Sequence, residues 1–237
     1  MRPGLVALAA VLIGLSGGSA LARSEDPLLS GVEAARRGDF TTAYGLWAPL
    51  ARTGNAEAAH FLSMLYATGQ GVARDDAEAV RWVRIAAEAG HVEAQRKLGQ
   101  FYHLGRGVDP DEAEATRWMR RAAEAGHPEA AGHLGMQYYL GRGVARDPDA
   151  ARHWFRVAAR RGVAEGMHNL GVVYGNGDGV APDLTRSHMW FSLAASAGHE
   201  GAAGSAAGLV QDMNPEQITR ATEMADRCRA SDYQDCD

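Results

Sequence analysis

Residues 91–126 read HVEAQRKLGQFYHLGRGVDPDEAEATRWMRRAAEAG, and the same 36-residue frame returns at 55–90, 127–162 and 163–198 with no insertion or deletion. A fixed period of this size marks a stacked repeat array. A Leu-Gly pair recurs at Leu98-Gly99, Leu134-Gly135 and Leu170-Gly171, with Leu62-Ser63 in the first copy. A tyrosine follows at Tyr66, Tyr102, Tyr138 and Tyr174, then a Gly-x-Gly-Val turn such as Gly105/Gly107/Val108. An aspartate comes next (Asp75, Asp111, Asp147, Asp183), then a tryptophan (Trp82, Trp118, Trp154, Trp190). An Ala-Ala pair and a glycine close each copy.

Each copy reads as two helices and two turns. Ala94, Leu98 and Tyr102 are four apart and share one helical face. The glycine turn ends that helix. The recurring aspartate caps the second helix, and Asp75 with Glu78 and Asp111 with Glu114 have the spacing of a capping box. Pro148 suits a first helical position. Trp118, Ala122 and Ala125 are expected on the inner face of the second helix. One helix pair cannot bury its apolar stripe alone, so the copies must stack.

With these columns in place, the pattern resembles the Sel1-like repeat, a relative of the tetratricopeptide repeat. The resemblance implies an all-α fold: a right-handed α/α solenoid of 36-residue helix-turn-helix repeats with N- and C-terminal capping helices. The organisation expected is a signal peptide at 1–22, a degenerate helical pair at 23–54 and repeats at 55–90, 91–126, 127–162 and 163–198. A partial repeat with a capping helix follows at 199–237. Some secreted members staple every repeat with a cysteine pair, but these repeats contain no cysteine.

Residues 1–22, MRPGLVALAAVLIGLSGGSALA, carry one arginine, an apolar run and an Ala20-Leu21-Ala22 ending, the pattern of a secretory leader cleaved after Ala22. An uncleaved anchor is the alternative, but the apolar run from Gly4 to Leu15 is shorter than the roughly 20 residues a spanning helix needs. Export would place the chain in the periplasm or outside the cell. In 23–54, Tyr44, Trp47 and Leu50 share a side of one helix, and Pro49 inside it should kink it or shift its hydrogen bonds. Asn214-Pro215-Glu216-Gln217 starts a last helix with an apolar stripe of Ile218, Ala221, Ala225 and Cys228. Cys228 and Cys236 are the only cysteines, and in an oxidising compartment they are candidates for a disulfide. Two free thiols on a frayed tail are the alternative.

The apparent chemistry dissolves. The net charge is −5 and Lys97 is the only lysine, so no basic run points to nucleic acid. Gly175–Gly179 is the repeat's own turn, with no strand before it and no Lys-Ser/Thr after it. His91, His127 and His199 share one column with Asn55, and successive copies on the order of 10 Å apart cannot ligate one metal. No Ser-x-x-Lys motif is present, and no Gly-x-Ser-x-Gly motif occurs outside residues 1–22. No cofactor, metal or catalytic residue is expected.

What remains is surface. By resemblance to tetratricopeptide-like arrays, the first helices line a concave face that holds a protein or peptide partner. The positions it implies are His60, Met64, Arg96, Gln100, His103, Met136, Tyr139 and His168, drawn from columns that also include Ala67, Thr68, Leu104, Leu140, Val172 and Asn176. Methionine and aromatic residues suit an adaptable protein contact. The competing reading is that Leu104, Leu140 and Met136 pack on the next unit. The function expected is an exported protein-interaction scaffold. A periplasmic regulator of a sensor kinase or other envelope protein is the nearest alternative. A hydrolase of cell-wall or β-lactam substrates is the alternative from another class.

Overall fold

A computed structural model of the chain describes residues 26–236. The expected leader and its Ala20 and Ala22 cleavage site lie outside the described residues. The described residues form α1 (Pro27–Arg36), α2 (Phe40–Arg52), α3 (Ala56–Thr68), α4 (Asp76–Glu88), α5 (Val92–Leu104), α6 (Glu112–Glu124), α7 (Pro128–Leu140), α8 (Pro148–Ala159), α9 (Ala164–Asn176), α10 (Leu184–Ser196), α11 (Ala202–Leu209) and α12 (Pro215–Ala230). A short 3-10 turn joins the last two, and there is no strand among the described residues. They divide into two compact units, the first ending at Pro110 and the second beginning at Asp111. In the first, each helix from α1 to α5 packs on the next. In the second, the same holds from α6 to α10, and α10 is covered by both α11 and α12.

The helix ends follow from the repeat columns. Asp75, Asp111, Asp147 and Asp183 each accept backbone N–H bonds at the start of a second helix. The reciprocal half of the expected capping boxes is absent. Glu78 pairs with Arg81 instead, and Glu114 with Arg117 and the indole of Trp118. The reciprocal box forms only at Asn214 and Gln217 among the described residues. First helices start on Asn55, His91 and His127, whose side chains accept the N–H of Ala58, Ala94 and Ala130. Val163 holds that column in the fourth copy and makes no such bond. Pro49 is accommodated inside the continuous helix α2.

The Gly-x-Gly turn has a steric explanation. Gly141 sits in the left-handed region (φ +69°) and ends α7. Two residues on, a Cβ on Gly143 would lie 2.0 Å from the carbonyl oxygen of Glu112, the first residue of α6. The turn therefore rests directly on the backbone of the preceding repeat's second helix, and only glycine fits there.

Apolar columns fill the interior of each unit. Ala94, Leu98 and Tyr102 are buried, as the four-residue spacing predicts. Trp118 and Ala122 are buried too, but Ala125 caps the C-terminus of α6 in solvent; Ala115 and Met119 take the inner positions instead. Helix α8 turns Phe155 fully inward and leaves Trp154 half-buried. A Cβ on Gly135 would meet the Phe155 ring at 2.6 Å, so the glycine of the Leu-Gly pair makes room for an aromatic ring. Arginines tie the repeats together. Arg120 donates to the Tyr138 hydroxyl at 2.6 Å and Arg156 to that of Tyr174 at 3.1 Å. Helix α12 buries Ala221, Met224, Ala225 and Cys228, and a Cys228–Cys236 disulfide folds the tail back.

Candidate functional site

In the first unit, a groove of about 270 Å³ runs between the first helices of two successive repeats, α3 and α5. Met64 and Ala67 border it from α3, Lys97, Phe101 and Leu104 from α5, and Arg106 from the following turn. Phe101 is buried at its floor, and Leu104 is 62% exposed at its lip. Glu93 receives two N–H bonds from Arg96, at 2.9 and 2.5 Å, so Lys97 Nζ comes no nearer to it than 3.9 Å. Burial, with the nearby charge of Arg96, holds the Lys97 ammonium below its usual pKa. Arg106 pairs with Asp76 at 2.6 Å, and Asp76 is shared with Arg74 at 2.8 Å. Hydrogen bonds from Arg74 and then Arg106 hold the Asp76 carboxyl down at about 2.

The corresponding place in the second unit, between α7 and α9, is occupied by the chain itself. The Tyr139 hydroxyl donates to Asp178 Oδ2 at 2.7 Å, and Arg146 donates to Asp178 Oδ1 at 3.1 Å while lying over the Tyr139 ring. This hydrogen bond raises the Tyr139 pKa and lowers that of Asp178. The acid of the Gly175–Gly179 turn is thus committed within the fold. Met136 is half-buried nearby, and Leu140 is 45% exposed.

Four histidines form two stacked pairs where successive repeats meet. His60 is 3% exposed, and its ring stacks on His91 at 4.5 Å. His91 Nδ1 accepts the Ala94 N–H, so Nε2 carries the proton and donates to Glu57 at 3.0 Å. Burial first, and then the His91 charge, pushes the His60 pKa down to about 4. His168 stacks on His199 at 4.2 Å in the second unit, where His199 meets Glu165 at 3.1 Å. Burial lowers the His168 pKa.

The eight candidates drawn from the sequence therefore separate. Met64 and Gln100 border the groove of the first unit, and His103 is exposed on α5. Arg96 is turned onto Glu93, Tyr139 onto Asp178, and His60 and His168 onto their histidine partners, while Met136 packs against the core of the second unit. Lys97 and Arg106 were not among the eight. Their signal was available: Lys97 is the only lysine, directly before a core leucine. No group of three His, Cys, Asp or Glu side chains among the described residues could hold a metal ion. No described helix is long and apolar enough to cross a membrane.

The Sel1 repeat family model matches residues 56–91, 92–127, 128–163 and 164–199, 144 of the 237 residues. The chain belongs to the Sel1 repeat family. The family frame starts one residue after the 55–90 frame, a difference of phase in a periodic sequence. The chain is similar to a Sel1 repeat protein from Oxalobacter formigenes, with 30% identity, a TM-score of 0.71 and coverage of 87% of each chain. It is also similar to c5321, described as a protective antigen of uropathogenic Escherichia coli strains with an SLR fold. That match has 31% identity, a TM-score of 0.76 and coverage of 83% of this chain. The chain spans about half of that protein, 45% of its length. No curated protein matches the sequence. Sel1 repeat proteins are generally protein-interaction scaffolds.

Proposed function

We propose that this chain is an exported scaffold that holds a protein partner on its first-helix surface and catalyses no reaction. The observation that carries this reading is the groove between α3 and α5, where Leu104 stands exposed beside Met64 in columns that repeat packing leaves free. A leader cleaved after Ala22 would deliver the chain to the periplasm or beyond, where an envelope protein such as a sensor kinase is a suitable partner. Mass spectrometry of exported protein should then find Arg23 at the N-terminus; an intact Met1 would defeat the export reading.

The binding reading is tested by photo-crosslinking in envelope extract. Benzoylphenylalanine replaces Met64 or Leu104, and Glu88, exposed on α4, serves as the control position. Adducts to one protein from Met64 and Leu104, absent from Glu88, support the reading. Adducts from Glu88 alone would move the binding surface elsewhere. Saturable hydrolysis of a β-lactam or cell-wall substrate by the purified chain would sink the claim that no reaction is catalysed.

A further inference from the structure

We propose that the groove between α3 and α5 binds an extended acidic peptide. One apolar side chain of the peptide seats on Phe101, Met64 and Leu104, and a neighbouring carboxylate is taken by Lys97 and Arg106. The inference rests on the scaffold reading above and adds the chemistry of the occupant.

The comparison of the two units carries it. Tyr139 and Asp178 stand 72 positions after Ala67 and Arg106, two full repeats on. In the second unit the tyrosine and the aspartate join at 2.7 Å across the first-helix surface. In the first unit alanine replaces the bulky ring and arginine replaces the acid, so the same place is open and its charge is reversed. The acid that meets Arg106, Asp76, lies on α4 rather than on the first-helix surface.

The charges agree. Both charged residues lining the groove, Lys97 and Arg106, are cations, although the chain carries a net charge of −5. The ion pairs beside it join Arg74 and Arg106 to Asp76, and Arg96 and Lys97 to Glu93. Glu93 is held by Arg96, which leaves Lys97 with one contact at 3.9 Å. A ligand carboxylate would give this half-buried ammonium a full partner, and charge-assisted bonds of this kind are the strong ones. The exposed Leu104 and buried Phe101 need an apolar side chain rather than a free anion. A groove between two helices suits an extended segment, which can place alternate side chains on the floor and on the cations.

The test is fluorescence anisotropy of the full chain with fluorescein-labelled ten-residue synthetic peptides. One places a leucine between glutamates in a Gly-Ser background. Its counterparts replace the leucine with serine, the glutamates with glutamine, or the glutamates with lysine. The acidic leucine peptide should bind, each counterpart should bind roughly tenfold or more weakly, and added salt should weaken the acidic peptide. Lys97→Gln should cost about tenfold for the acidic peptide and leave the glutamine peptide unchanged. Leu104→Ser, at an exposed position, should weaken binding with an unchanged melting temperature. Ala67→Tyr with Arg106→Asp, which recreates the closure of the second unit, should abolish binding. If no peptide binds, or if the glutamine peptide binds as tightly as the acidic one, the inference is overturned. Crosslinks from Met64 and Leu104 to an envelope protein would still stand in that case, so the scaffold reading is judged separately.

Discussion

Acidification should destabilise the first unit through His60 before any carboxylate is titrated. An unfolded histidine titrates near 6.5, and the buried His60 ring is held down to about 4. The sign follows from which state takes up the proton first. Between these two values the unfolded chain is protonated and the folded chain is not, so stability is intact above about 6.5 and is lost as the pH falls toward 4. With those two pKa values the loss is about 2 kcal/mol at pH 5 and about 3 kcal/mol at pH 4. The groups facing His60 are His91, stacked on it, with Glu57, Glu93 and Lys97 nearby. Glu57, lowered by its bond from His91, acts in the same direction but only below its unfolded value of 4.5. His168 in the second unit and His188, both lowered by burial, add to the loss above that value. The assay is urea unfolding at pH 7 and pH 5 for the parent chain, His60→Gln and His60→Phe, the last keeping a ring over His91. Both variants should lose about 2 kcal/mol less than the parent between the two pH values. An identical pH dependence in all three chains, or a ring-proton NMR titration of His60 centred near 6.5, would refute the reasoning.

Three further outcomes are expected. Gly143→Ala should cost at least about 2 kcal/mol, combining a left-handed backbone with a methyl driven into the Glu112 carbonyl; Gly126→Ala, whose Cβ meets nothing, should cost about 1 kcal/mol by urea unfolding. Trp118→Ala removes a side chain that is 2% exposed and should cost about 3–5 kcal/mol; an unchanged unfolding midpoint would misplace the core. Reducing the Cys228–Cys236 disulfide frees a short loop and should cost about 2–3 kcal/mol, and thiol labelling of the unreduced chain should find no reactive cysteine.

The helix pairs were legible because each boundary is set by a local rule that recurs. Aspartate caps, left-handed glycines and the Leu-Gly and Tyr columns all have the same cause in each copy. Roles decided between copies were harder to read. His91 is a cap through Nδ1 and a donor to Glu57 through Nε2, and its ring covers His60 from the repeat before. A histidine is an uncommon cap, so the column it shares with Asn55 did not announce that role. Ala125 follows the inner-face spacing of α6, yet the helix ends at Glu124 and the alanine is left outside. Glu78 and Glu114 have the spacing of a capping box, but arginines three residues on offer them a charged partner instead. The candidate surface was only partly legible for the same reason. Spacing gives the face of a helix, whereas exposure depends on the neighbouring repeat.

That distinction separates architecture from function in this chain. A repeat column explained by sterics leaves little to selection for binding: Gly143 has no room for a methyl, and Gly135 has none beside Phe155. The informative columns are those where the backbone is the same and the chemistry changes. At one such column the four copies carry Gln70, Arg106, Arg142 and Asp178. In the second unit Asp178 closes on Tyr139 and Arg146, and the place is self-satisfied. In the first unit Arg106 is drawn to Asp76 and Ala67 leaves the opposite wall low, so Phe101, Leu104 and Lys97 border open space. Nothing in repeat packing requires that difference. On the proposed reading, a partner would cover the exposed Leu104 and complete the 3.9 Å pairing of Lys97 with Glu93.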